Sequence, residues 1–298
     1  MKTGEGLRSE AITTALDEAV RVGERAHDRL FKVLAVASGL PGPRMNAGVA
    51  VGFANECAAR GKAADKLIER LASLDAELAP GATELEFLPV CGVLALGARA
   101  AKETDRKLRT KTLLRLHDAA EDVRFRVREA AAMALARLGS TDGDGLIADI
   151  GSWMDGFFQS AAVLRAIADP LWLTALTDVE PVVERMDAAF LLARDAPRSA
   201  VRWPGWKALH EELGRTPAAV AARFGAPVFD MLVRWSETSM PELREAIEQG
   251  LRDKRLGGRF HADIERVREA LKASAPIARD PTLARQGMRG RAKKRGRH

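Results

Sequence analysis

Between Asp122 and Gly139 the chain reads DVRFRVREAAAMALARLG, and this stretch restricts the fold more than any other. Val127, Ala130, Ala131, Ala134, Leu135 and Leu138 recur at helical spacing and form one apolar stripe. Three alanines on that stripe let a second helix axis come close, because small side chains shorten the interaxial distance. Arg126, Glu129, Ala132, Met133 and Arg137 fall towards the other side. Gly139 is expected to end the helix in the left-handed conformation that glycine supplies. Upstream, residues 105–119 carry Leu108, Leu113, Leu114 and Leu116 and predict a partner helix. Such a pair cannot cover its own stripe and has to stack on a neighbour.

The order of residues resembles the second half of a HEAT repeat: an aspartate, a turn, a helix opening with Val-Arg, then alanines and leucines. Here Asp122 precedes Val127 and Arg128, and Ala130, Ala131, Ala134, Leu135 and Leu138 follow. The resemblance implies an all-α fold, an α-solenoid of stacked antiparallel helix pairs. At ~40–47 residues per unit, such a chain holds about six or seven units. It also implies a hydrogen bond between Asp122 and Arg128 at the repeat turn, a structural role for both. Fainter echoes follow. Pro181 and Val183 open a degraded unit in which Glu184 and Asp187 replace Arg128 and Ala131. Leu243-Arg244-Glu245-Ala246-Ile247 leads on to Leu251, and Val267-Arg268-Glu269-Ala270-Leu271 repeats the pattern again.

Composition agrees with a helical chain: 47% of the 298 residues are hydrophobic, tyrosine is absent, and no alternating Val/Ile run suggests a strand. The longest uncharged apolar run, residues 87–98, is too short to span a bilayer. The N-terminus lacks an apolar signal core, and Cys57 and Cys91 form no CxxC motif, so a reducing, cytoplasmic setting without membrane contact is expected. The formal charge of +6 is unevenly placed. Arg285, Arg289, Arg291, Lys293, Lys294, Arg295 and Arg297 lie in one segment without an acid, which leaves the rest of the chain close to neutral. Two regions are therefore expected: a helical body over 1–275 and a flexible basic tail over 276–298.

Punctuation places the remaining helices. Residues 7–38 read as helical with a break at Gly23, and Ser38–Asn46 (SGLPGPRMN) is a loop whose Asn46 caps the next helix. A helix pair is expected over 46–60 and 63–78. Thr83 with Glu86 makes a capping box opening a helix to about Ala101, in which Pro89 either introduces a kink or marks a later start. Gly214 is expected to stop a helix begun at Pro204, and Thr216-Pro217 to open the next one, up to Gly225. Ser239 with Glu242 forms a second capping box.

Catalytic signatures are missing from the sequence. The five histidines share no helix face at ligand spacing, and there is no HExxH, phosphate loop, GxGxxG or GxSxG. The Asp142–Gly145 run puts Ser140 and Gly151 where an EF-hand needs acidic ligands, so calcium is not expected. No metal or cofactor is assigned.

The binding candidates are few. The rigid loop presents Arg44 either as a plain turn residue or as an anion contact. In Trp203-Pro204-Gly205-Trp206 the two indoles are either wedged between helices or form an exposed edge suited to an interface or to base stacking. The seven tail cations suit weak, sequence-independent attraction to nucleic acid, or serve solubility alone. One branch of HEAT-like proteins, the alkylpurine DNA glycosylases, places an aspartate between tryptophans in a basic groove. Asp169, Trp172 and Asp178 beside Trp203 and Trp206 resemble that arrangement loosely, although that family's catalytic segment is not matched residue by residue. The leading expectation is a non-enzymatic HEAT-like binding protein that engages another macromolecule, protein or nucleic acid, on a curved helical surface. The alternatives are an alkylpurine DNA glycosylase, with Asp169 or Asp178 catalytic, and a scaffold directed purely at proteins.

Overall fold

The computed structural model describes residues 4–275, with side chains from residue 10 onward. Every regular element among the described residues is helical. In chain order the α-helices are α1 (Gly4–Val22), α2 (His27–Ala37), α3 (Ala47–Arg60), α4 (Asp65–Ala72), α5 (Phe87–Ala100), α6 (Arg106–Ala120), α7 (Phe125–Asp142), α8 (Gly145–Asp149), α9 (Phe157–Ala168), α10 (Pro170–Leu173), α11 (Glu180–Asp195), α12 (Pro204–Phe224), α13 (Ala226–Trp235), α14 (Pro241–Gly250) and α15 (His261–Ala273).

Five of them, α5, α7, α9, α12 and α14, pack side by side in a row, each on the next, with α3 against α5. Residue pairs along the row give its direction. Glu86, just before α5, pairs with Arg126 at 2.9 Å, and further along a Cβ on Gly97 would meet that of Ala134 at 2.7 Å. The Arg128 guanidinium lies 4.3 Å from the Phe158 ring centroid, and Gly139 faces Trp172 beyond the end of α9. Between α9 and α12, Phe158 meets Gly205, and the Thr216 hydroxyl donates to the Leu164 carbonyl at 3.1 Å. Between α12 and α14, His210 Nε2 meets the Glu242 carbonyl at 2.8 Å, and Gly214 faces Gly250. Early residues of one helix meet early residues of the next, and later ones meet later ones. The five helices are thus parallel, with their N-termini along one edge.

Other helices pack against this row: α4 and α6 on α5 and α7, a 3-10 turn over Gly151–Asp155 on α9, and α11 and α13 on α12. The helix expected over 105–119 is α6, joined to α7 by four residues and antiparallel to it. The most enclosed element is α5, buried at every position from Phe87 to Ala100. Its one charged residue, Arg99, is held by Asp65 at 2.9 Å and Glu103 at 3.4 Å. Gly92 presses on the α4 backbone, where a Cβ would lie 2.3 Å from the Ala72 nitrogen.

Several boundaries differ from the sequence reading. Pro89 neither kinks α5 nor delays it: at the third helical residue its missing N–H belongs to a position with no intrahelical acceptor. The helix after α3 is short, since Gly61–Ala64 forms a 3-10 turn and α4 ends at Ala72. Asn46 caps α3 through Val49. Neither capping box forms through its hydroxyl. Glu86 does reach back, to the Ala82 amide at 2.8 Å, while α14 starts at Pro241 after an uncapped Met240. The largest differences are at Gly139 and Gly214, both inside continuous helices. Helix α7 runs on to Asp142 and ends at Gly143 with φ 59°, and α12 spans Gly214 and Pro217 unbroken. Both glycines serve close packing instead. A Cβ on Gly139 would fall 2.1 Å from the Trp172 ring, and one on Gly250 would fall 2.8 Å from the Gly214 carbonyl.

Candidate interaction surface

The α6–α7 turn is built around Asp122: the implied hydrogen bond with Arg128 is present, made to the Asp122 backbone carbonyl and not to its carboxylate. The Asp122 carboxylate takes Arg124, through Nε at 2.8 Å, Nη2 at 2.6 Å and the backbone amide at 2.7 Å. Arg124 then donates to the carbonyls of Leu74, Asp75 and Ala79, tying the turn to the end of α4. Arg128 donates to the Asp122 backbone carbonyl at 2.6 Å, and its guanidinium lies between Phe125 and Phe158, 5.8 and 4.3 Å from their centroids. Burial pulls the Arg128 pKa down, Asp122 offsets part of this, and the charge of Arg165 adds to it. The same device recurs. Arg185 donates to the Gly151 carbonyl, Arg223 to those of Thr174 and Leu176, and Arg244 to those of Ser236, Thr238 and Leu271. Each guanidinium satisfies carbonyls at the end of another helix, which have no partner within their own.

Along the N-terminal edge of α7, α9 and α12 these contacts join into a ridge. Val123 and Phe125 are exposed at 80% and 59%, and Trp203 at 47%. Phe157 meets Trp203 edge to face, with centroids 6.2 Å apart, and both Phe157 and Phe158 fill the space beside Gly205. From Phe125 through Arg128, Phe158 and Phe157 to Trp203, aromatic and cationic groups are therefore in unbroken contact. Helices pack ~8–10 Å apart, so three of them give a ridge about 20 Å long. Exposed Arg198, Arg202 and Lys207 lie within five residues of Trp203 in the chain, and among the described residues no carboxylate is paired with them.

The two indoles of the Trp203–Trp206 segment take opposite roles: Trp203 is exposed, whereas Trp206 is 3% exposed, stacks on His210 and donates to the Ala193 carbonyl. Trp172 is fully buried, with its Nε1 donating to the Gly143 carbonyl. Asp169 caps α10 by accepting the Leu171 amide at 2.9 Å, and Asp178 accepts the Glu180 amide at 3.1 Å. These two carboxylates serve local backbone, and no exposed indole stands beside them. Arg44 is exposed in the α2–α3 loop, away from the ridge. The cations from Arg285 to Arg297 lie outside the described residues.

Below the ridge a charged ladder crosses the row. Arg165 on α9 pairs with Glu129 on α7 and, at 2.7 Å, with Glu212 on α12, which Arg215 approaches at 3.8 Å. Burial pushes the Glu212 carboxyl above the usual range, against the opposing pull of Arg165 and Arg215. The sequence offered no sign of this cluster, since its members are 36, 47 and 3 residues apart and become neighbours only when the helices pack. A cleft of about 740 Å³ opens nearby between Arg194, Arg198, Arg234 and Trp235. Two of its arginines are already paired, Arg194 with Asp195 and Arg234 with Asp187.

Burial raises the Cys57 thiol to about 12 and Cys91 well upward, so both stay protonated and inert. Among the described residues no group of His, Cys, Asp and Glu is placed to hold a metal ion, and no helix is long and apolar enough to cross a membrane. The chain matches no protein-family model, no curated protein and no solved structure.

Proposed function

We propose that this chain is a non-enzymatic, HEAT-like α-solenoid whose stacked helix pairs present a binding surface to another macromolecule. The basic tail, in this reading, adds weak and sequence-independent contact with nucleic acid. The observation that carries it is the parallel row from α5 to α14, which leaves one edge lined by exposed aromatic side chains and exposed cations. Two features support the stacking: the succession of inner helices each backed by an outer one, and the arginines that bind carbonyls from one pair to the next. A structure in which each unit touches only its neighbours grows in one dimension and keeps a long open surface.

Fluorescence anisotropy with a labelled DNA duplex tests the reading. The expected result is weak binding at low salt, with log affinity falling by ~0.9 per log unit of salt for each phosphate neutralised. Replacing the seven tail cations with glutamine should flatten that slope. Duplex retention that survives the replacement with its slope intact overturns the role given to the tail. The glycosylase alternative is tested by base release from methylated duplex. Excision that is lost in Asp169→Asn or Asp178→Asn would replace the binding reading with an enzymatic one.

A further inference from the structure

We infer that the ridge formed by Phe125, Arg128, Phe158, Phe157 and Trp203 is a stacking platform for single-stranded nucleic acid. The inference rests on the binding-protein reading above and names the partner of its exposed edge. The aromatic faces come first. Phe125 and Trp203 are exposed at 59% and 47%, at the two ends of a ridge whose middle is braced by Arg128 against Phe158 and by Gly205 against both Phe157 and Phe158. Bracing keeps the outer rings from folding inward onto apolar neighbours, so their faces stay available. Every base has a face able to stack on such rings, and an unpaired strand offers those faces whereas a duplex hides them.

Charge selects the same partner. Of the carboxylates beside the ridge, Asp122, Glu86 and Glu129 are ion-paired with Arg124, Arg126 and Arg165, whereas Glu121 keeps its charge and accepts only the neutral Gln159 amide. Among the described residues no acid is paired with Arg198, Arg202 or Lys207, which are exposed, and Arg128 adds a fourth cation that hydrogen-bonds a backbone carbonyl. The ridge therefore has a net positive surround, which complements a phosphate backbone and opposes an acid-free cationic peptide.

The test compares a labelled oligothymidylate with an abasic oligomer of equal length and charge, both titrated into the full chain by anisotropy. Base stacking predicts about tenfold tighter binding of the oligothymidylate. In Phe125→Ala/Trp203→Ala that ratio should fall to about one, while the salt slope stays unchanged. In the chain with its seven tail cations changed to glutamine, the ratio should persist although both oligomers bind more weakly. Both substituted rings are exposed, and an unchanged helical circular dichroism signal and Tm establish that the double variant is folded. Equal binding of the two oligomers by the full chain overturns the platform but leaves the tail reading standing. A ratio that survives the double substitution places the stacking elsewhere and overturns the platform too. Failure of both oligomers to bind at low salt overturns the platform and the tail reading together, and leaves a protein partner for this edge.

Discussion

The indole of Trp172 occupies the space that a side chain at Gly139 would need: a Cβ built there lies 2.1 Å from ring carbon Cδ2. Helix α7 thus carries a notch in its last turns, and the short helix α10 is docked into it, with Trp172 Nε1 donating to the Gly143 carbonyl at 2.9 Å. In an exposed helix, Gly→Ala would gain about 1 kcal/mol of propensity. Here overpacking costs about 1–3 kcal/mol and outweighs it, because a ring locked between helices cannot give way. Gly139→Ala should therefore lower Tm by several degrees. The same substitution in a Trp172→Leu background should cost much less, and a double-mutant cycle by chemical denaturation reads the coupling directly. Additive effects would mean that the notch is irrelevant.

That pair also illustrates what the sequence made legible. The stripe from Val127 to Leu138 is buried as its period required, and the all-helical fold follows from such periodicities. Gly139 and Gly214 looked like stop signals because local rules read glycine as a C-terminal cap. Both are instead sites where another element comes too close for a Cβ, and that approach depends on packing from 33 and 36 residues away, the separations to Trp172 and Gly250. For the same reason Asp122 was legible as a turn residue bonded to Arg128, but the partner of its carboxylate, Arg124, was not. A spacing argument cannot say whether Arg124 or Arg128 turns its guanidinium onto the carboxylate. Of the ridge, Trp203 stood out beforehand as an interface candidate and Arg128 as a turn residue, but Phe125 and Phe158 become neighbours only through the packing of Arg128 between them.

The turn makes unequal demands on its two arginines. Arg124 is almost wholly enclosed and serves one carboxylate and three carbonyls, so its removal leaves a buried charge and several orphaned acceptors. Breaking such a buried pair costs about 3–5 kcal/mol. Arg128 contributes one hydrogen bond to a carbonyl and contacts with two rings, worth roughly 1–3 kcal/mol. Arg124→Ala should thus lower the urea midpoint well beyond Arg128→Ala. The reverse order would show that the guanidinium over Phe158 is the stronger fastening.

Trp203 and Trp206 separate surface from core within four residues. Trp206→Ala empties a site where the indole is 3% exposed and stacked on His210, and about 3–5 kcal/mol should be lost. Trp203→Ala removes a ring that is 47% exposed and should change stability by no more than about 0.5–1 kcal/mol, mostly through its contact with Phe157. Thermal unfolding followed at 222 nm measures both. A loss of comparable size at Trp203 would make it a packing residue and remove the exposed end of the ridge.

Burial of Glu212 beside Arg165 predicts the sign of its contribution to the pH dependence of stability. Burial raises its folded-state pKa above the ordinary glutamate value of about 4.3, so the native state binds its proton more tightly than the unfolded chain does. The resulting stability is fully present below the unfolded-state pKa. It is lost as pH rises through the folded-state value, where the carboxylate must ionise among apolar neighbours despite the attraction of Arg165 and Arg215. Asp144 and Asp253 have lowered pKa values and work in the opposite sense, losing their contribution as pH falls through the acid range. The total profile therefore mixes signs, and the informative quantity is the difference between wild type and Glu212→Gln. Glutamine keeps the shape and cannot ionise, so wild type should lose stability relative to it as pH rises from about 4 towards neutrality. Denaturant midpoints of both proteins across that range check this. A wild type that gains on the variant with rising pH would mean that the ion pair with Arg165 outweighs burial, and that the carboxyl titrates below its ordinary range.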